Sequence, residues 1–176
     1  RALLVLQEAQ GGRLTLKNPA HALHLRELLA EVPEAMVVQT HRDPLETLPS
    51  LCMLTLVAQS AMVEGADPAR VVDTVTAFQG AMADRSVEVR GIPDGARVFD
   101  VDYRRLLEDP LGAVRGIHEH FGLGWSAQME ARIGAFGRAN RQHKRGRYTY
   151  SLEQFGLTRA GVAARFADYR RLFLGE

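Results

Sequence analysis

Lysine is almost missing from this sequence: of 22 basic residues only Lys17 and Lys144 are lysines, the rest being arginine. The two side chains are not equivalent at a phosphate or a leaving group, one being a planar fork and the other a compact point charge on a flexible stem. The two lysines are thereby marked as positions where a point charge has been kept. Cysteine is as scarce. Cys52 stands alone in an apolar run, which excludes an internal disulfide and fits a small buried hydrophobe in a reducing, cytoplasmic setting. No apolar run reaches the roughly 18–20 residues of a membrane span, and the sequence shows no signal-peptide pattern. An excess of one sign of charge is also absent, because 22 basic and 21 acidic residues leave a formal net charge of +1. That excludes the broad cationic face a nucleic-acid partner would need. No glycine-, proline- or serine-rich tract and no repeat divides the 176 residues, of which 46% are hydrophobic, so a single domain over residues 1–176 is expected.

What is present alternates between strand and helix signals. Arg1 opens inside the apolar run RALLVL without a Met or a cap, which reads as a start within a helix of a longer parent. Gly11-Gly12 stops that helix, and Arg13 to Leu16 then form a short strand-like run. Asn18 and Pro19 can cap and open a helix whose buried face is Ala22, Leu23, Leu25, Leu28 and Leu29, up to Val32-Pro33. Ala35 to Gln39 is the next strand, closed by His41-Arg42-Asp43-Pro44 before a helix from about Leu45 to Glu64. Asp67 caps another helix from Ala69 to Asp84, Ile92-Pro93-Asp94-Gly95 is a turn, and Arg97 to Val101 is a third strand. Asp109-Pro110 starts a helix through Phe121 that Gly122 ends. Helices from about Ser126 to Arg138 and Arg159 to Phe173 follow, with a basic, aromatic segment from Arg141 to Tyr150 between them. Such alternation indicates an α/β fold with a central parallel sheet, in which ligands bind beyond the carboxyl ends of strands. Lys17, Arg42 and Tyr103 occupy those ends.

Arg42 and Ser50 are eight residues apart, roughly two turns into a helix, so a guanidinium and a hydroxyl can converge on one phosphate near a helix N-terminus, where free N–H groups already favour an anion. An Arg-Asp-Pro after a strand is more often a salt-bridged turn with a capping Asp, and the residues alone leave both readings open.

The run Leu14-Thr15-Leu16-Lys17-Asn18-Pro19-Ala20-His21, followed by Arg42-Asp43-Pro44 and Ser50, resembles the sulfotransferase family, especially its bacterial and tyrosylprotein-type branch. Val101-Asp102-Tyr103 leading into Leu106-Leu107-Glu108-Asp109-Pro110 is similar to that family's strand and helix start. Tyr150-Ser151-Leu152-Glu153-Gln154-Phe155-Gly156-Leu157 and the later Phe166 and Tyr169 look like its closing signature. The resemblance implies a P-loop-like three-layer α/β/α fold and transfer of a sulfuryl group from 3′-phosphoadenylyl sulfate to a hydroxyl or amine of a small-molecule or peptide acceptor. No metal is expected. It implies that Arg42 and Ser50 hold the donor's 3′-phosphate, that Tyr103 lies beside the adenosine, and that Lys17 neutralises charge on the sulfuryl group and the leaving oxygen. It also implies that Lys144, Arg145, Gly146 and Arg147 form a basic loop closing over the 3′-phosphate, Gly146 allowing close backbone approach.

Two departures matter. No glycine-rich loop for the donor's 5′-phosphosulfate stands in these 176 residues, so the expectation is a truncated domain, without its first strand and loop and inactive alone. The residue two after Lys17, where cytosolic relatives carry a catalytic His, is Pro19; His21 is the nearby candidate base, its other role being to cap or pack its turn. A non-catalytic nucleotide- or protein-binding homologue and a P-loop kinase-like enzyme are the competing readings.

Overall fold

A computed structural model of the chain describes residues 14–92, 97–140 and 149–176. Among these, the strands β1 (Val37–His41) and β2 (Val98–Asp102) form a two-stranded parallel sheet. The register pairs Val37 with Val98, Gln39 with Asp100 and His41 with Asp102, so the side chains of these residues share one face. That face is apolar at its start and polar at its carboxyl end.

Helix α1 (Leu25–Glu31) precedes β1, and α2 (Pro44–Ser60) and α3 (Pro68–Arg90) form the crossover to β2. α4 (Tyr103–Glu108) follows β2 directly, then α5 (Pro110–His120), α6 (Ala127–Ala139), α7 (Arg159–Arg165) and α8 (Ala167–Leu174). Three of these helices start with Asp-Pro. Asp43 accepts from the Leu45 N–H at 3.0 Å and Asp67 from Ala69 at 2.9 Å, while Asp109 accepts from Gly112 at 2.8 Å. Each capping carboxylate satisfies an otherwise unpaired donor, and the proline fixes φ for the first turn. Gly122, with φ +61°, ends α5 in a conformation that costs glycine little.

The 23-residue α3 organises the interior. Its first half, Val71, Val72 and Val75, packs with Leu45, Leu48 and Cys52 of α2 and with Val162 and Phe166. Its last turn places Val89 against Leu25, Leu29 and Val98. The Arg97 guanidinium donates to the carbonyls of Leu29 and Pro33, closing the end of α1 onto the start of β2.

Several expectations need correction. Leu14 to Asn18 form no strand; without a neighbouring chain to complete its ladder, an apolar alternating run has nothing to hold it extended, and Arg13 lies outside the described residues. The helix expected from Pro19 to Val32 begins as a 3-10 turn, Pro19–His24, before α1. Both strands start and end one or two residues later than the sequence suggested. The helix expected from Arg159 to Phe173 breaks at Phe166, whose buried ring belongs to the core. Residues 93–95 of the expected turn lie outside the described residues.

Leu48 is fully buried whereas Leu54, on the same helix, is 65% exposed. Leu48→Ala should destabilise by about 3 kcal/mol through lost burial and a residual cavity, and Leu54→Ala by less than about 1 kcal/mol. Urea unfolding followed by circular dichroism checks the contrast, and comparable losses would contradict this core.

Candidate active site

The polar end of the sheet is built from both strands and two helices. Gln39 and His41 of β1 face the same side as Asp100 of β2. The last turns of α3 bring Ser86 and Arg90 to that face, four residues and one helical turn apart, and α8 brings Tyr169 and Phe173 in the same spacing. His41 is 1% exposed and has both ring nitrogens engaged: Nε2 with Asp100 Oδ1 at 2.7 Å and Nδ1 with the Tyr169 hydroxyl at 2.8 Å. Its ring stacks on Phe173 with centroids 4.0 Å apart. Arg90 donates to both oxygens of Asp100, at 3.0 Å to Oδ2, and to Gln39 Oε1 at 2.8 Å. Gln39 in turn donates to Ser86 Oγ at 2.7 Å, and Ser86 to the Met82 carbonyl at 2.7 Å.

A carboxylate can only accept, so the His41 proton sits on Nε2, and in the neutral ring Nδ1 accepts from the Tyr169 hydroxyl. Burial opposes ionisation of Asp100, but the hydrogen bonds from His41 and Arg90 outweigh it and hold the carboxyl below its ordinary value. Burial pushes the Tyr169 phenol up to about 12, with the Arg42 backbone N–H pulling the other way. The phenol therefore stays protonated as a donor at neutral pH.

The chain leaves this buried network at Arg42. Its side chain is 45% exposed, bonded through Nε to Glu46 Oε2 at 3.1 Å, and its guanidinium lies over the Tyr103 ring, 4.9 Å from the centroid. Asp43, beside it, is buried and caps α2. Alongside β2 a cavity of about 310 Å³ is lined by His41, Arg90, Asp102, Arg105, Gly116 and Phe173, among others. Its lining carries both signs of charge, Arg90 and Arg105 beside Asp100 and Asp102, next to an apolar wall that includes Phe173.

Of the residues singled out from sequence, Arg42 and Tyr103 meet. Ser50 is exposed on α2, one turn beyond Glu46 on the same helical face. Lys17 is exposed and lies before the 3-10 turn that carries His21. Among the described residues, no hydrogen bond, ion pair or ring contact links Lys17, His21 or Ser50 to the Arg42–Tyr103 pair. Lys144, Arg145, Gly146 and Arg147 lie outside the described residues. Sequence reading passed over His41, Asp100, Arg90, Tyr169 and Phe173 as site residues. The available signal was the polar alternation of Gln39 with His41 and of Asp100 with Asp102, in strands whose parallel pairing calls for continuous apolar runs.

An arginine and a tyrosine thus meet at the carboxyl ends of two adjacent parallel strands, the edge at which open α/β sheets commonly bind ligands. Comparison with known proteins names the family: residues 3–127 match the sulfotransferase family model, and the chain belongs to that family. It is 27% identical over 145 residues to the omega-hydroxy-beta-dihydromenaquinone-9 sulfotransferases of Mycobacterium bovis and Mycobacterium tuberculosis, covering 79% of this chain and 36% of each relative. The chain thus spans about a third of the length of those curated relatives. The crystal structure of sulfotransferase STF9 from Mycobacterium avium superposes with a TM-score of 0.87 at 29% identity, over 97% of this chain and 44% of that one. Sulfotransferase STF1 from Mycobacterium tuberculosis gives 0.66 at 34% identity, over 86% and 38%. The P-loop-like α/β architecture expected from the sequence agrees with these neighbours.

Asp100 has its folded pKa depressed, so its contribution to stability is fully present above the unfolded carboxyl value, about 4, and is lost as pH falls through the lower folded value. Asp100→Asn should therefore lower Tm at pH 7, and the gap from wild type should narrow as the pH is brought down through the unfolded carboxyl value of about 4 and below. A gap that is constant over this range, measured by thermal unfolding, would contradict the ionic role of Asp100.

Proposed function

We propose that the protein transfers a sulfuryl group from 3′-phosphoadenylyl sulfate to the hydroxyl of a small-molecule acceptor. The observation that carries this reading is the meeting of Arg42 and Tyr103 at two parallel strand ends in a chain of the sulfotransferase family. Arg42 takes the 3′-phosphate, aided by the Ser50 hydroxyl, and Tyr103 stacks beside the adenosine. Exchange of the exposed Glu46 partner for phosphate costs little, because surface ion pairs contribute at most about 1 kcal/mol. Lys144, Arg145, Gly146 and Arg147 add charge and close backbone approach to the same phosphate.

In the reaction the acceptor oxygen attacks sulfur, the bond from sulfur to the bridging phosphate oxygen breaks, and adenosine 3′,5′-bisphosphate departs. The acceptor proton passes to a base, for which we assign His21. Lys17 neutralises the charge that grows on the bridging oxygen, a contribution that resembles the electrostatic part of phosphoryl transfer. The side chains of both Lys17 and His21 are without a hydrogen bond or ion pair among the described residues, which leaves them available for ligand. An apolar acceptor body is supported by the dihydromenaquinone named in the mycobacterial relatives and by the exposed Leu54, Val57, Met62 and Val63. No helix among the described residues is long and apolar enough to cross a membrane. The free, buried Cys52 fits a reducing compartment such as the cytoplasm.

In the full-length protein, Arg42→Ala should weaken adenosine 3′,5′-bisphosphate binding by ~1.5–3 kcal/mol, the loss of a charged hydrogen-bonding partner; unchanged affinity in calorimetry would remove Arg42 from the phosphate site. Lys17→Ala should lower single-turnover sulfate transfer at saturating donor by a factor of ~10²–10³ while donor Kd changes far less. Lys17→Arg should restore little of that rate, since a guanidinium cannot take the point position of an ammonium. His21→Ala should also lower kcat and remove the acidic limb of the pH–rate profile. Wild-type turnover by the Lys17→Ala protein would remove Lys17 from the chemistry, and nucleotide binding without any sulfate transfer by the wild-type protein would favour a homologue without catalysis.

A further inference from the structure

We infer that α8 is a clamp that sets the position of Arg42 for a 3′-phosphate, with Tyr169 and Arg170 as its positioning residues; this rests on the role proposed for Arg42 above. The two residues that flank Arg42 are each held by one of two adjacent residues of α8. On one side, the Tyr169 hydroxyl meets His41 Nδ1 at 2.8 Å. On the other, Arg170 Nε lies 3.2 Å from Asp43 Oδ1, as an ion pair without hydrogen-bond alignment. His41 and Asp43 are 1% and 8% exposed and the Arg170 side chain 16%, so both grips are shielded from water, where electrostatic and hydrogen-bonding contacts are stronger.

The clamp also reaches the second strand end. Arg170 donates to Glu176, and Glu176 accepts from Arg104 at 3.3 Å. Arg104 neighbours Tyr103, over whose ring the Arg42 guanidinium lies. One helix and Glu176, two residues beyond its end, therefore fasten both sides of the Arg42–Tyr103 pair. Phe173, one turn beyond Tyr169, stacks on His41 and carries the Arg90 guanidinium 5.1 Å over its ring, which prevents the His41 ring from rotating away. Arg42 itself has a long, exposed side chain with many rotamers. Glu46 and the Tyr103 face hold that side chain at the surface, where such contacts are weak, so its backbone is the part fixed most firmly before a ligand arrives, and α8 holds that backbone from both neighbours. A shift of the order of 1 Å at such a point is enough to spoil alignment with a ligand.

A helix that merely completes the fold would affect every ligand alike, whereas a clamp on Arg42 affects only ligands that Arg42 touches. The test uses the full-length protein and calorimetric Kd values for adenosine 3′,5′-bisphosphate and adenosine 5′-monophosphate, with thermal melts confirming folding. Tyr169→Phe removes one oxygen and should reduce the preference for the 3′-phosphorylated ligand by about five- to tenfold, in the range of a single lost hydrogen bond, with monophosphate affinity within about twofold of wild type. In an Arg42→Ala background the same change should leave the preference unaltered, because coupled residues are not additive. Should Tyr169→Phe fail to fold, Arg170→Gln is read by the same ratio and decides.

Equal weakening of both ligands, or no change, in a protein whose preference does collapse on Arg42→Ala, would overturn the clamp while leaving the 3′-phosphate assignment standing. A wild-type preference in Arg42→Ala itself would instead refute that assignment, and the clamp with it.

Discussion

The hydrogen bond between His41 and Asp100, 2.7 Å long, is the contact through which the polar end of this molecule is assembled. It runs diagonally across the parallel pair, from the last residue of β1 to the third of β2, and so fixes the two strand ends relative to each other. Asp100 is also the anchor for Arg90, which brings the end of α3 onto the sheet. His41 passes its orientation to Tyr169 and hence to α8. Removing the carboxylate would leave a buried guanidinium and a buried imidazole short of acceptors, each a costly group to strand away from water. The Asp100 side chain is itself 35% exposed, so water moderates but does not replace these contacts.

From this anchor the structure grades outward from fixed to adaptable. His41 and Asp43 are buried and paired, while the Arg42 side chain between them is exposed and, among the described residues, held by Glu46 and the face of Tyr103. The arrangement separates two tasks that a single buried arginine could not perform together. A buried cation would need a permanent partner, whereas an exposed one on a rigid backbone can exchange a weak surface carboxylate for a ligand phosphate at small cost.

Much of this was legible from the sequence because it is encoded locally. Asp43, Asp67 and Asp109, each followed by proline, cap three helices as expected, and the strand-end rule picked out Arg42 and Tyr103, which do meet. What was not legible depends on distant partners. Leu14 to Leu16 alternate like a strand, but alternation supplies no neighbour to pair with. The His41 contacts span 59 and 128 residues of sequence, and nothing near His41 announces Tyr169. The break at Phe166 likewise follows from a ring drawn into the core against Leu152 and Val162, which overrides the helical periodicity around it. The excess of polar residues in two strands was the one readable trace of the buried network.

The most direct measurement is a crystal structure of the full-length protein with adenosine 3′,5′-bisphosphate. The 3′-phosphate is expected within hydrogen-bonding distance of the Arg42 guanidinium, which leaves Glu46, with the adenosine against Tyr103 and the His41–Asp100 and His41–Tyr169 bonds unchanged. A nucleotide bound with Arg42 still paired to Glu46 and its 3′-phosphate elsewhere would contradict the site, whatever the family to which the chain belongs.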